Sequence, residues 1–104
     1  MTTGNGAATM TAGNGTVTRV LDIVNKKGLH ARASAKFVQT VEKFEADVTV
    51  TRAGETVGGT SIMGLMMLAA APGTSISVSA TGKQAAEVVA ALDALVSGRF
   101  GEEE

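Results

Sequence analysis

The sequence predicts an α+β domain in which a sheet is covered by helices on one face, with the element order β-α-β-β-α-β-α. Three observations support this. Several short β-branched segments alternate apolar and polar residues, longer segments repeat apolar residues every three or four positions, and turn residues separate the two kinds. Because the strands are apolar on one face only, the helices are expected on that face alone.

The first strand and first helix begin after residue 16. Val17–Val24 is rich in β-branched and apolar residues, with Leu21 and Ile23 on the same face, and the turn residues of 25–28 end it. The segment from Ala31 to Lys43 then repeats apolar residues at helical spacing. These apolar positions are Ala33, Phe37, Val38, Val41 and Phe44.

A hairpin and a short helix come next. Residues 48–51 alternate valine and threonine, Ala53-Gly54 forms a turn, and Thr56–Gly59 returns, so these two strands are expected to pair antiparallel. Thr60 or Ser61 can cap a short helix that must end before Pro72-Gly73. The fourth strand spans residues 75–80 and the last helix residues 85–96, with Gly98 predicted as its left-handed C-terminal residue.

Both ends of the chain differ in composition from its centre. Residues 1–16 are mostly Thr, Gly, Ala and Asn, uncharged and poor in large apolar side chains, so we expect a flexible tail. Residues 17–100 form the predicted domain. Residues 101–104 are predicted to be an acidic, solubilising tail.

Composition excludes several classes of function. The formal charge is −1 and the only aromatic residues are three Phe, which is atypical of nucleic-acid binders. With no Cys and a single His, cysteine-based redox chemistry and histidine-rich or cysteine-based metal sites are excluded, and we expect no cofactor. No apolar run approaches the roughly 20 residues of a membrane span, so we expect a cytoplasmic protein without a membrane partner.

His30 is the strongest candidate for a functional residue. It lies in Gly28-Leu29-His30-Ala31-Arg32, where the predicted strand gives way to a helix. The first unpaired backbone N–H groups of the helix, the helix dipole and the Arg32 guanidinium would all favour a phosphate attached to the ring. Because the same dipole disfavours a charge on imidazolium, the neutral ring keeps a lone pair for attack. On the local pattern alone, an exposed loop or capping histidine is the more common role of such a residue.

Two motifs together resemble the HPr family, the histidine-containing phosphocarriers of the bacterial phosphoenolpyruvate-dependent phosphotransferase system, and its nitrogen-regulatory paralogues. Residues 28–32 resemble the family's active-site signature, and Thr60–Met66 resembles its regulatory serine segment. The resemblance covers about Val17–Phe100. It implies an open-faced β-sandwich with four antiparallel strands in the order 1-4-2-3 and three helices on one face.

The resemblance also implies a function. His30 would accept a phosphoryl group on Nδ1 from phosphorylated enzyme I and pass it to an enzyme IIA protein, with Arg32 and the Ala31 amide holding the group. Ser61 would be a regulatory phosphorylation site for an HPr kinase/phosphorylase. The protein would be a relay substrate, not an enzyme, serving sugar uptake or nitrogen and carbon regulation, and we expect a monomer. Ala33 stands where the family usually has proline, and the pair Ala33-Ser34 resembles the nitrogen-regulatory or regulation-only branch.

The short helix also suggests a docking surface. Its apolar residues surround it almost completely, so some must face solvent or a partner. Flexible methionines suit a surface that binds several proteins in turn, and we expect Ile62, Met63 and Met66 to flank His30. For methionines at helical spacing, simple core packing is the more common role.

Two other classes of protein fit parts of the pattern. A small allosteric ligand-binding module with a ferredoxin-like fold shares the order β-α-β-β-α-β, but it would place the first strand beside the third. A purely regulatory relative acting through Ser61 alone would have no need of His30.

Overall fold

The computed structural model describes residues 9–11 and 15–102 and contains one five-stranded antiparallel sheet and three α-helices within them. In chain order the elements are β1 (Thr9–Thr11), β2 (Val17–Asp22), α1 (Ala31–Val41), β3 (Asp47–Arg52), β4 (Glu55–Gly58), α2 (Ile62–Met67), β5 (Ser75–Thr81) and α3 (Ala85–Ser97), followed by a 3-10 turn at Arg99–Gly101.

The sheet order is β1-β2-β5-β3-β4. Its last four strands reproduce the predicted order 1-4-2-3, with the first predicted strand, β2, beside the fourth, β5. The neighbours of β2 are β1 and β5, which contradicts the ferredoxin-like alternative, since that fold would have placed β2 beside β4. The fold class is therefore confirmed.

The prediction of four strands is wrong by one. Thr9–Thr11, within the predicted flexible tail, pairs with β2 as an additional edge strand, with Met10 opposite Thr18. A three-residue strand whose side chains are all exposed leaves no apolar periodicity in the sequence. Of the rest of the predicted tail, the structure describes only Gly15 and Thr16. Residues 1–8 and 12–14 lie outside the described residues.

The core lies between one face of the sheet and the helices. Alternate residues of β5 are buried, and the inward positions of β2 and β3 extend the same apolar layer. Helices α1 and α3 cover this layer with their apolar faces. The largest fully buried side chains are Phe37, Phe100, Leu21, Ile23, Leu65, Ile76 and Leu92.

The C-terminal end of α3 differs from the prediction. Gly98 is the C-cap residue of α3 but has φ −84°, outside the left-handed region. The three residues after it are left-handed instead, with φ of 59° at Arg99, 56° at Phe100 and 74° at Gly101. The Phe100 side chain is buried, and its packing holds this turn against the domain.

A tight turn at Gly28 sets the position of α1. Gly28 has φ +66°, and a Cβ atom there would lie 2.3 Å from the carbonyl oxygen of Ala70. The next residue, Leu29, donates its N–H to that same oxygen over 3.0 Å. Only glycine allows the backbone to come this close, so Gly28 ties the start of α1 to the segment that follows α2.

Gly28→Ala is expected to destabilise the domain by about 2–4 kcal/mol, because a strained φ and a backbone clash combine. Gly54→Ala is the matched control, since Gly54 also has positive φ but no atom within 4 Å of an added Cβ. It should cost only about 1 kcal/mol. Urea unfolding measures both, and equal losses would show that the approach to Ala70 is unimportant.

Candidate functional site

His30 is the N-cap residue of α1. Its backbone is extended, with φ −77° and ψ −176°, and its ring Nδ1 accepts a hydrogen bond from the Arg32 N–H over 3.2 Å. The side chain is 28% exposed, so the ring is accessible to a partner. The ring therefore caps α1 and lies next to one of the helix's otherwise unpaired amides.

The rest of the first turn of α1 is fixed by Ser34. Its N–H donates to the His30 carbonyl oxygen over 2.9 Å, and its buried hydroxyl lies 3.3 Å from the carbonyl oxygen of Leu29. Ser34 follows Ala33, the residue at the family's usual proline position, and it closes the turn by hydrogen bonding. No local pattern in the sequence indicated that this side chain would be buried.

An open pocket surrounds the exposed edge of the His30 ring. It brings together the predicted residues Ala31 and Arg32 with three lysines and the C-terminal segment. Its lining residues are Lys26, Lys27, His30, Ala31, Arg32, Lys36, Gly101 and Glu102. The pocket is positively charged on balance and suits an anion attached to the ring.

Glu102 was not predicted to belong to this site. Its Oε2 lies 2.5 Å from His30 Nε2, and its Oε1 accepts a hydrogen bond from the Asn25 side-chain amide over 3.1 Å. The prediction of a merely solubilising tail is therefore wrong for Glu102, whose side chain is only 14% exposed. Residues 103 and 104 lie outside the described residues.

Asn25 is the second residue that the sequence did not reveal. It is fully buried at the end of β2, and its side-chain amide donates to the Gly28 carbonyl oxygen over 2.9 Å as well as to Glu102. From the sequence, Asn25 was identified only as one of the turn residues 25–28 that end the first predicted strand. Its role depends on a residue 77 positions away, so no local pattern could have indicated it.

The Glu102 carboxylate is stabilised in its ionised form. Burial alone raises the pKa of Glu102, but the hydrogen bonds from Asn25 and His30 outweigh it, with help from the charges of His30 and Lys27. The net result is a pKa below its ordinary value of 4.5. Glu102 is therefore an anion, and a hydrogen-bond acceptor only, near neutral pH.

Ser61 is the N-cap of α2. Its Oγ accepts a hydrogen bond from the Gly64 N–H over 2.9 Å, and the residue is exposed. Of the two predicted caps, Thr60 and Ser61, the structure selects Ser61. An added Cβ at Gly64 would lie 2.9 Å from this oxygen, so glycine at position 64 keeps the cap close to the helix.

The predicted docking residues are exposed on α2. Ile62, Met63 and Met66 face solvent, while Leu65 and Leu68 are buried in the core. Met67 is equally exposed and was missed, because a six-residue helix leaves too little periodicity to separate its faces. We call Ile62, Met63, Met66 and Met67 the α2 patch. Its helix contacts α1 and leads to Ala70, which binds the His30 turn.

Among residues 9–11 and 15–102, no group of three or more His, Cys, Asp or Glu residues could hold a metal ion. Within the same residues, no helix is both long and apolar enough to cross a membrane.

The sequence is similar to known phosphocarriers. A family model described as the PTS HPr component phosphorylation site matches residues 17–98. Phosphocarrier protein HPr of Neisseria meningitidis serogroup A is 54% identical over 84 residues, which cover 81% of this chain and 94% of that protein. The HPr of Cupriavidus necator is 48% identical over 82 residues, covering 79% and 92%.

Solved structures agree. HPr-C-His from Thermoanaerobacter tengcongensis superimposes with a TM-score of 0.79 at 40% identity, covering 84% of this chain and 98% of that one. The HPr of Bacillus anthracis gives a TM-score of 0.75, also at 40% identity, and covers 78% and 96%.

Glu102 is expected to stabilise the domain in a pH-dependent way. Its folded-state pKa is lowered, so its contribution is fully present above the ordinary pKa of 4.5 and is lost as the pH falls through the folded-state pKa. The measurement is urea unfolding of the wild type and Glu102→Gln between pH 7 and pH 3. The difference in free energy of unfolding between the wild type and Glu102→Gln should be largest near pH 7 and shrink as the pH is lowered.

Glu87→Gln is the matched control, because it removes the same charge from an exposed residue in the first turn of α3. A Glu102→Gln difference that stays constant across the pH range would show that the carboxylate is not stabilised by folding.

Proposed function

The chain belongs to the HPr family of phosphocarrier proteins, and we propose that His30 accepts a phosphoryl group on Nδ1 from phosphorylated enzyme I and passes it to a histidine of an enzyme IIA protein. The protein is a phosphoryl carrier of the phosphotransferase system and not a catalytic enzyme. The observation that carries the proposal is the contact of Nδ1 with the Arg32 N–H at the start of α1.

This contact supports Nδ1 as the atom that is phosphorylated. A backbone N–H can only donate, so Nδ1 is the unprotonated ring nitrogen and holds the lone pair needed for attack on phosphorus. Once Nδ1 is phosphorylated, a phosphoryl oxygen can accept the Arg32 N–H instead. The Ala31 N–H, also in the first turn, is a second donor in our proposal.

The Arg32 side chain supplies charge to the same pocket. Its guanidinium is exposed beside His30, and within the described part of the chain no hydrogen bond or ion pair engages it. It is therefore available to donate two parallel hydrogen bonds to the phosphoryl group. Lys26, Lys27 and Lys36 line the same pocket and add to its attraction for the anion.

The α2 patch is our candidate surface for docking enzyme I and enzyme IIA proteins. Four exposed apolar side chains on one short helix form a surface that a partner can cover, and methionines adapt to different partners. The link from α2 through Ala70 to Leu29 holds this surface beside the His30 turn. We propose that the protein acts as a monomer in the cytoplasm, in sugar uptake or in nitrogen and carbon regulation.

Ser61 is our candidate for regulatory phosphorylation by an HPr kinase/phosphorylase. Its hydroxyl is exposed, and a phosphate oxygen could take over the hydrogen bond that Oγ accepts from Gly64. The fold would then be kept while about two negative charges are added next to the α2 patch. Modification would weaken docking through electrostatics and not by unfolding α2.

Phosphorylation of His30 can be tested with phosphoenolpyruvate and enzyme I. The wild type should take up acid-labile phosphate and His30→Ala none, because the chain has no other histidine. Ser61→Ala is the matched control and should be labelled like the wild type. Stable labelling of His30→Ala under these conditions would refute the site.

Binding to enzyme I tests the α2 patch. Met63→Ala should weaken affinity by roughly tenfold, the effect of losing one buried methionine side chain at an interface. Met10→Ala is the matched control, because Met10 is exposed to nearly the same extent, 69% against 73%, but lies on the edge strand β1. Equal effects of the two substitutions would place docking elsewhere.

The same titration includes Ser61→Asp and Ser61→Ala. Only the aspartate should weaken binding, since it adds charge beside the α2 patch while the alanine only removes a cap. Equal weakening by both would show that the cap, and not charge, is what docking requires.

A further inference from the structure

The C-terminal segment holds Glu102 against His30 at a conformational cost. Arg99 and Phe100 both adopt left-handed backbone angles, which are unfavourable for residues with a side chain. Two contacts maintain this conformation, namely the burial of Phe100 and a hydrogen bond of 2.6 Å from Lys36 Nζ to its carbonyl oxygen. Such a turn persists only where the surrounding structure determines it, and here it delivers Glu102 to the ring.

The two ring nitrogens of His30 have partners of opposite kind. Nδ1 faces a donor, the Arg32 N–H, and Nε2 faces an acceptor, the Glu102 carboxylate. A neutral imidazole carries one proton, and only the tautomer with that proton on Nε2 satisfies both partners. The two contacts come from opposite ends of the domain's sequence and agree on one tautomer.

We propose that Glu102 is a positioning residue for phosphoryl transfer: it accepts the Nε2–H of His30, fixes the tautomer whose lone pair is on Nδ1, and balances the charge that develops on the ring. Asn25 completes the arrangement, because its buried amide holds Glu102 Oε1. This proposal rests on the proposed function, since it concerns the same ring.

Each transfer forms one P–N bond and breaks another. The Nδ1 lone pair forms the new N–P bond while the P–N bond of the donor phosphohistidine breaks, and its electron pair returns to the donor ring. The His30 ring, having given up its lone pair, becomes positive, and its Nε2–H remains hydrogen-bonded to the Glu102 carboxylate. In the onward transfer the electron pair returns to Nδ1 and leaves the same neutral tautomer.

The negative charge of Glu102 does not spoil the pocket for phosphate. The carboxylate contacts Nε2, across the ring from Nδ1, where the phosphoryl group would be bound. Lys26, Lys27, Arg32 and Lys36 line the same pocket, so cations outnumber the carboxylate there. Glu102 therefore acts on the ring more strongly than on the incoming group.

The test uses the full chain with ¹⁵N-labelled histidine, in the wild type, Glu102→Ala, Glu102→Gln and Glu87→Ala. Imidazole ¹⁵N shifts measure the ratio of the Nε2–H to the Nδ1–H tautomer in the neutral ring. We expect this ratio to fall about fivefold in Glu102→Ala, the effect of one charge-assisted hydrogen bond at a partly exposed site. The ratio in Glu102→Gln should lie between those of the wild type and Glu102→Ala. The ratio in Glu87→Ala should match that of the wild type.

Transfer from phosphorylated enzyme I is measured on the same four proteins. The maximal rate should fall with the tautomer ratio, while KM changes little because Glu102 lies outside the α2 patch. An unchanged tautomer ratio in Glu102→Ala, or an unchanged rate despite a changed ratio, overturns the proposal. Failure of the wild type to be labelled at His30 would instead refute the proposed function, and the tautomer ratio would still decide whether Glu102 orients the ring.

Discussion

The hydrogen bond between the Arg32 N–H and His30 Nδ1 is the contact on which the site depends. It makes one nitrogen serve two purposes, since the atom that caps α1 is also the proposed nucleophile. Phosphorylation would remove this acceptor but supply phosphoryl oxygens in its place, so the start of α1 would stay capped in both states. A carrier that is loaded and unloaded repeatedly benefits from a fold that neither state disturbs.

That contact in turn depends on the backbone packing of the turn that precedes His30. Gly28 lets the chain pass against the Ala70 carbonyl, and the Leu29 N–H binds the same oxygen. Because residue 70 follows α2 and its turn, this contact connects the start of α1 to the α2 patch, and α1 and α2 also pack against each other. In the proposed docking, a partner that covers the patch would therefore lie on a helix tied directly to the His30 turn.

The parts of the structure that were predicted are those with local, periodic signals. The strand alternation, the helical spacing and the capping by Ser61 all follow from neighbouring residues, and the strand order followed from the resemblance to the HPr family. The edge strand β1 and the left-handed turn at Arg99–Gly101 were not predicted, because each is held by contacts distant in sequence. Glu102 was missed for the same reason, and its neighbours in an acidic run made it look like any solvated residue.

His30 and Ser61 use the same local chemistry in different surroundings. Each is an N-cap whose side chain accepts a backbone N–H, so each could exchange that bond for one to a phosphate oxygen. Around His30 the pocket offers lysines and Arg32, which would neutralise the added charge. Ser61 directly precedes the exposed apolar side chains of the α2 patch, which cannot neutralise a charge. A phosphate on His30 is therefore suited to being held and passed on, whereas one on Ser61 is suited to altering what the patch will bind.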